Sequence, residues 1–130
     1  MKSQKVWINM SKDNIQPISS FLPRSQHDLF DGEGEVKIWN LLRRPNQEPF
    51  KAVLWCELEG NGSVGTHYQK AYPEVILCLQ GSGSAVIGHE TFALAPGICV
   101  YLAQGQTLAL KNEQSNPLTY LIIKANQPST

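Results

Sequence analysis

His67, Gln69 and Glu74 are the residues of this chain whose types and spacing could do chemistry. Two residues apart on an extended strand, His67 and Gln69 share a face, with Cβ atoms roughly 6–7 Å apart. The turn from Lys70 to Pro73 brings the chain back, so Glu74 can open the next strand facing the same space. An imidazole nitrogen, an amide oxygen and a carboxylate then converge. Together they make a partial shell for a divalent metal or the polar mouth of a small-ligand pocket. They are equally a hydrogen-bonded cluster, in which His67 and Gln69 supply the donors a buried Glu needs. Cys78 shares parity with Glu74 and Ile76, which directs it to the same interior. A plain core cysteine is the simpler reading, because nothing near it in sequence would depress its pKa.

The elements that must position these residues read as short strands. Ten Gly and eight Pro punctuate the chain, and turn residues that frequent leave room only for short elements. Strands are predicted over Val6 to Met10, Glu35 to Leu42, Phe50 to Glu59, Ser63 to Gln69 and Glu74 to Gln80. Further runs cover Ser84 to Ile87, Thr91 to Leu94, Ile98 to Leu102, Thr107 to Lys111 and Leu118 to Lys124. Turns every roughly 8–12 residues are the mark of an antiparallel sandwich or barrel. In Phe50 to Glu59 the charges Lys51, Glu57 and Glu59 share one parity, so Ala52, Leu54, Cys56 and Leu58 should face inward. Trp55 then faces outward, covered by a terminal strand of its own chain or by a second subunit. Ile98 to Leu102 is apolar on both parities and reads as a strand covered on both sides. The stretch Pro23 to Gly34 reads as irregular; His27 and its acidic neighbours form either a solvated loop or a lid over the barrel. His89 falls at a hairpin tip and reads as solvated. Gly32 and Gly34 make no phosphate loop, since no strand-to-helix context follows.

A length of 130 residues fits one domain spanning 1–130, with an N-terminal strand and loop over 1–34 and a barrel over about 35–125. Eleven basic residues balance eleven acidic ones. That balance gives no field to draw nucleic acid or an anionic membrane, so neither is expected as a partner. The N-terminus shows no signal-peptide core and no run is long enough for a membrane span. Cys56, Cys78 and Cys99 lack metal or redox spacing and read as buried thiols in a reducing, cytoplasmic compartment. Val6, Trp7 and Ile8 are candidates for a strand exchanged in, or covering the edge of, a homodimer.

The segment resembles the cupin superfamily, whose first motif is G-x5-H-x-H-x3–4-E-x6-G and whose second is G-x5-P-x-G-x2-H-x3-N. His67, Glu74 and Gly81 stand at the first motif's spacing, with Gln69 at its second His and Asn61 at its leading Gly. Gly97, Gly105 and Asn112 stand at the second motif's spacing, with Ala103 at its Pro and Leu108 at its His. The resemblance implies an all-β, antiparallel jelly-roll barrel and a metal shell of three His and one Glu. Of that shell His67 and Glu74 carry over; Gln69 is a weak neutral ligand and Leu108 cannot ligate. Three functional expectations follow. The first is a metal-free or weakly metal-binding barrel that holds a small polar molecule among His67, Gln69, Glu74, Cys78 and Leu108. The second is a small enzyme of oxygenase, isomerase or lyase type. It would hold Fe, Mn, Ni or Zn on His67, Gln69 and Glu74, with Glu74 and His67 as candidate acid–base groups. The third is an interaction module with a vestigial pocket.

Overall fold

The computed structural model describes residues 15–42, 44 and 46–126. Ten strands follow a single-turn 3-10 segment at Ile18–Ser20. They are β1 (Arg24–His27), β2 (Glu35–Asn40), β3 (Phe50–Leu58), β4 (Ser63–Tyr68), β5 (Glu74–Gln80), β6 (Gly83–Ile87), β7 (Glu90–Leu94), β8 (Cys99–Leu102), β9 (Thr107–Asn112) and β10 (Leu118–Ala125). They form a six-stranded sheet in the order β1-β2-β3-β10-β5-β8 and a four-stranded sheet in the order β4-β9-β6-β7. Every pairing among these strands is antiparallel. Two such sheets facing one another are the antiparallel barrel expected from the turn spacing, in the jelly-roll form that the cupin resemblance implies. The strand expected at Val6 to Met10 lies outside the described residues.

Strict alternation builds the core between the sheets. The larger sheet turns in Val36, Ile38, Cys56, Leu58, Ile76, Cys78, Leu102, Leu118 and Tyr120; the smaller turns in Val64, Ala85, Leu94, Leu108 and Leu110. Leu58, Ile76, Leu102 and Leu108 are wholly buried, each contributing roughly 1.5–3 kcal/mol by leaving water. Asn112 closes one end of the barrel. Its buried amide donates to the carbonyls of Leu58 (3.2 Å), Glu59 (3.1 Å) and Asn116 (2.7 Å), and its Oδ1 accepts from the Gln114 N–H (3.0 Å).

Three expectations are corrected. Arg24–His27, read as irregular, is an edge strand paired with β2. Its four residues are all exposed, so it has no apolar alternation and is held by backbone pairing with β2 and by Ser25 donating to Glu35 Oε2 at 2.9 Å. The strand expected to be covered on both sides, β8, is an edge strand on which Tyr101 is 63% exposed. Cys99, read as buried with the other cysteines, lies on that exposed face.

Candidate ligand-binding site

A cavity of about 370 Å³ opens between the sheets. Its walls are mostly aliphatic, with Ile38, Leu54 and Ile122 from the larger sheet and Val64, Leu108 and Leu110 from the smaller. Into it project Arg24, Gln26, Cys56, His67, Glu74, Tyr120 and Lys124. Register explains how strands far apart in sequence supply them. Across the large sheet Arg24 lies opposite Ile38, Ile38 opposite Cys56, and Cys56 opposite Tyr120. Lys124 lies between Ala52 and Glu74.

His67 reaches the cavity through an irregularity in β4. The register against β9 shifts between Val64 and His67, which lets two residues three apart both face inward. The His67 Nδ1 lies 3.1 Å from the Gly65 carbonyl oxygen. A carbonyl only accepts, so Nδ1 carries the proton and the Nε2 of the neutral ring keeps its lone pair. Burial holds the His67 pKa below the ordinary imidazole value; the Gly65 bond opposes this and the Lys124 charge adds to it. Glu74 is 3% exposed. Burial raises its pKa, while Lys124 and a hydrogen bond from Gln69 pull it partly back. Deeper in, burial pushes the Cys56 thiol up to about 12, against the opposing charge of Arg24. Burial likewise raises Tyr120, which is hydrogen-bonded to Cys56. The site thus combines a neutral imidazole and a reluctantly ionised carboxyl with two cations.

One flank is closed by the loop between β1 and β2. The Phe30 ring stacks on the His67 ring, with centroids 4.2 Å apart and planes 11° from parallel. The loop is tied to β4 by paired bonds, Glu33 N–H to Ser63 O (3.1 Å) and Ser63 N–H to Glu33 O (2.8 Å). It is closed on itself by the Gly34 N–H donating to Asp28 Oδ1 at 2.9 Å. Close approach needs glycine: a Cβ on Gly65 would stand 1.8 Å from the Phe30 carbonyl oxygen. Phe30 itself adopts φ 52°, a left-handed conformation that costs a bulky residue about 1–2 kcal/mol. The docked loop therefore outweighs a local penalty in order to lay an aromatic ring over His67.

A family model described as "Cupin domain" matches residues 54–124, more than half of the chain. The chain is a cupin. Solved structures repeat its fold at low identity. A predicted oxalate decarboxylase from Thermotoga maritima superposes with a TM-score of 0.82 at 19% identity, over 87% of this chain and 99% of that one. A sugar phosphate isomerase from Silicibacter pomeroyi gives 0.72 at 18% identity, over 88% and 76% of the two chains. A polyketide cyclase from Streptomyces resistomycificus gives 0.71 at 16%, over 91% and 81%. At these identities the likeness establishes the barrel, which hosts unrelated chemistries. No functionally curated protein matches the sequence.

The residues of this cupin do not fit the metal shell its superfamily commonly carries. Leu108 lies directly opposite His67 across β4 and β9 and turns a buried alkyl chain into the cavity where a ligand would stand. Gln69 is committed to Glu74. Arg24 and Lys124, lining the same cavity, repel a dication. Among the described residues no three His, Cys, Asp or Glu side chains come together.

Of the pocket residues named from sequence, His67, Glu74 and Leu108 line the cavity of this cupin. Gln69 is buried behind Glu74 and does not line it. Cys78 is corrected from pocket to core: it is buried in the barrel, with its thiol 3.9 Å from the Gly81 carbonyl, away from the cavity. His89 is exposed in the turn between β6 and β7. Arg24, Phe30, Tyr120 and Lys124 also line the cavity, and no motif in the sequence marks them. Parity places Lys124 on the same face as Tyr120 and Ile122, an inward charge on an apolar strand, and that was the available signal.

Proposed function

We propose that this cupin binds a small organic molecule in the cavity between its sheets and does so without a structural or catalytic metal. The observation that carries the reading is the cavity itself, about 370 Å³, with aliphatic walls and a few convergent polar groups. Sites of this size and character typically hold small ligands, and this one is at the small end of the range. The Leu108 side chain, the committed Gln69 and the two cations support the metal-free part. In this reading His67 and Glu74 contact the ligand, and Phe30 shields it from water.

A thermal-shift screen run beside elemental analysis tests both parts. The expected result is a ligand-dependent rise in Tm and well under one equivalent of Fe, Mn, Ni or Zn per chain. Stoichiometric metal in protein purified without added metal would overturn the metal-free reading. A chain stabilised by no small molecule would favour a scaffold whose pocket is vestigial, since a ligand well above its Kd is worth a few kcal/mol.

A homodimer in the cytosol belongs to the same proposal. The outer face of the larger sheet pairs Trp39 with Trp55 and Trp55 with Leu121, an apolar row suited to a second copy. Three free thiols suit a reducing compartment. A monomer by light scattering at micromolar concentration would exclude the dimer. Among the described residues no helix is long and apolar enough to cross a membrane.

A further inference from the structure

The charge in the cavity selects among small molecules. Arg24 stands at the exposed edge strand β1 and Lys124 is half-buried on β10, and both line the cavity. Neither makes an ion pair with a described residue. The chain as a whole is neutral, so two cations directed into one cavity are a local excess, not a reflection of composition. Among the described residues Glu74 is the one acidic side chain on the cavity wall, and its burial disfavours the ionised form. The Lys124 charge reaches Glu74, His67 and Cys56, and the Arg24 charge reaches Cys56. Lys124 lies opposite Glu74, so one acid faces two cations and the cavity keeps a net positive charge even with Glu74 ionised, an excess that a ligand's counter-charge would relieve.

We infer that the ligand is an organic carboxylate, with its apolar body against Ile38, Leu54 and Ile122 and its carboxylate held by Arg24 and Lys124. The inference rests on the small-molecule reading above and narrows it. A guanidinium fork and an ammonium match a planar carboxylate. The same two cations would also accept a phosphate, but its dianion exceeds the single net positive charge left by two cations and one acid, and sites built for phosphate commonly add backbone N–H donors at a helix N-terminus. The described residues contain no α-helix. The cavity volume equals that of about a dozen waters at roughly 30 Å³ each, so the acid is small.

The test uses matched series on the full chain: benzoate, phenylacetate, 3-phenylpropionate and 4-methylpentanoate, their primary amides, and the corresponding amines. Each is titrated at millimolar concentration by thermal shift and calorimetry, at low and high salt. The expected result is stabilisation by one or more acids and not by their amides or amines. Binding should weaken as salt is raised, and by about tenfold or more in Arg24→Gln and in Lys124→Gln. Glutamine is shorter but stays polar, and Arg24 is exposed and Lys124 half-buried, so both variants should fold. Amides or amines that bind as well as the acids would overturn the carboxylate inference and leave the small-molecule reading standing. Acids that bind equally well to both variants would do the same. Silence of all three series would overturn both.

Discussion

Replacing Gly65 by Ala probes the docked loop at the point where it is least tolerant. The new Cβ would lie 1.8 Å from the Phe30 carbonyl oxygen, and contacts under 3.0 Å are essentially never seen. The obstructing atom is backbone on both sides, so no side chain can swing away; the loop has to retreat by about 1.2 Å. That retreat pulls on the reciprocal Glu33–Ser63 bonds and slides the Phe30 ring off His67. Two exposed hydrogen bonds at about 0.5–1.5 kcal/mol each, with a ring stack of similar worth, give a cost of about 1.5–4.5 kcal/mol. For a chain of this size the cost corresponds to a fall in Tm of roughly 6–18 °C. Calorimetry reads the stability. Proton NMR of the His67 ring reads the geometry, because loss of the Phe30 ring current moves its carbon-bound protons downfield. The neighbouring Thr66→Ala, on the outward side of β4, is the control and should leave both unchanged. If Gly65→Ala kept the wild-type Tm and the wild-type His67 shifts, the loop would not be seated on β4 as argued, and the shielding role of Phe30 would fall with it.

Other expectations are independent of that loop's stability. Glu74 has a folded pKa above its ordinary value of 4.5, so the folded state holds this proton more tightly than the unfolded chain does. Its contribution is full below pH 4.5 and is lost as pH rises through the folded pKa, at no more than about 1.4 kcal/mol per pH unit. Glu74→Gln should remove that loss, gaining on wild type as pH rises; a difference independent of pH would refute the assignment. His67, shifted the other way, loses stability as pH falls below 6.5, and in Glu74→Gln this opposite trend should remain visible in Tm against pH. Phe30→Ala uncovers the imidazole, so an NMR titration should find the His67 pKa moved up toward its ordinary value. Asn112→Leu leaves the carbonyls of Leu58, Glu59 and Asn116 without their side-chain donor and should cost about 3 kcal/mol in denaturant unfolding; a cost below about 1 kcal/mol would mean that water replaces the amide.

Alternation and turn residues carry most of the barrel. Lys51, Glu57 and Glu59 on one parity, against Cys56 and Leu58 on the other, place β3 with one face in the core, and Gly88-His89 places a hairpin. Strand β1 escapes because Arg24, Ser25, Gln26 and His27 bury nothing; only the edge of β2 makes them a strand. The apolar run of β8 misleads for the converse reason, since the topology leaves it at an edge with Tyr101 in solvent. His67 and Glu74 can be found from type and spacing alone. That Cys78 leaves the site cannot, because parity assigns a face and says nothing of depth along the barrel.

By itself the sequence determines strands β2 to β10, most of their inward faces and the identity of Gln69 and Leu108, which are local facts of composition. The cavity is a property of closure. Arg24 and Phe30 lie about ninety residues or more from Tyr120 and Lys124, and only long-range antiparallel register sets them around one space. The tertiary structure also decided the ionic character of the site. Register sets Glu74 beside Lys124 and turns Arg24 into the same cavity, so two cations face one buried acid, and that arrangement is fixed only when the two sheets meet.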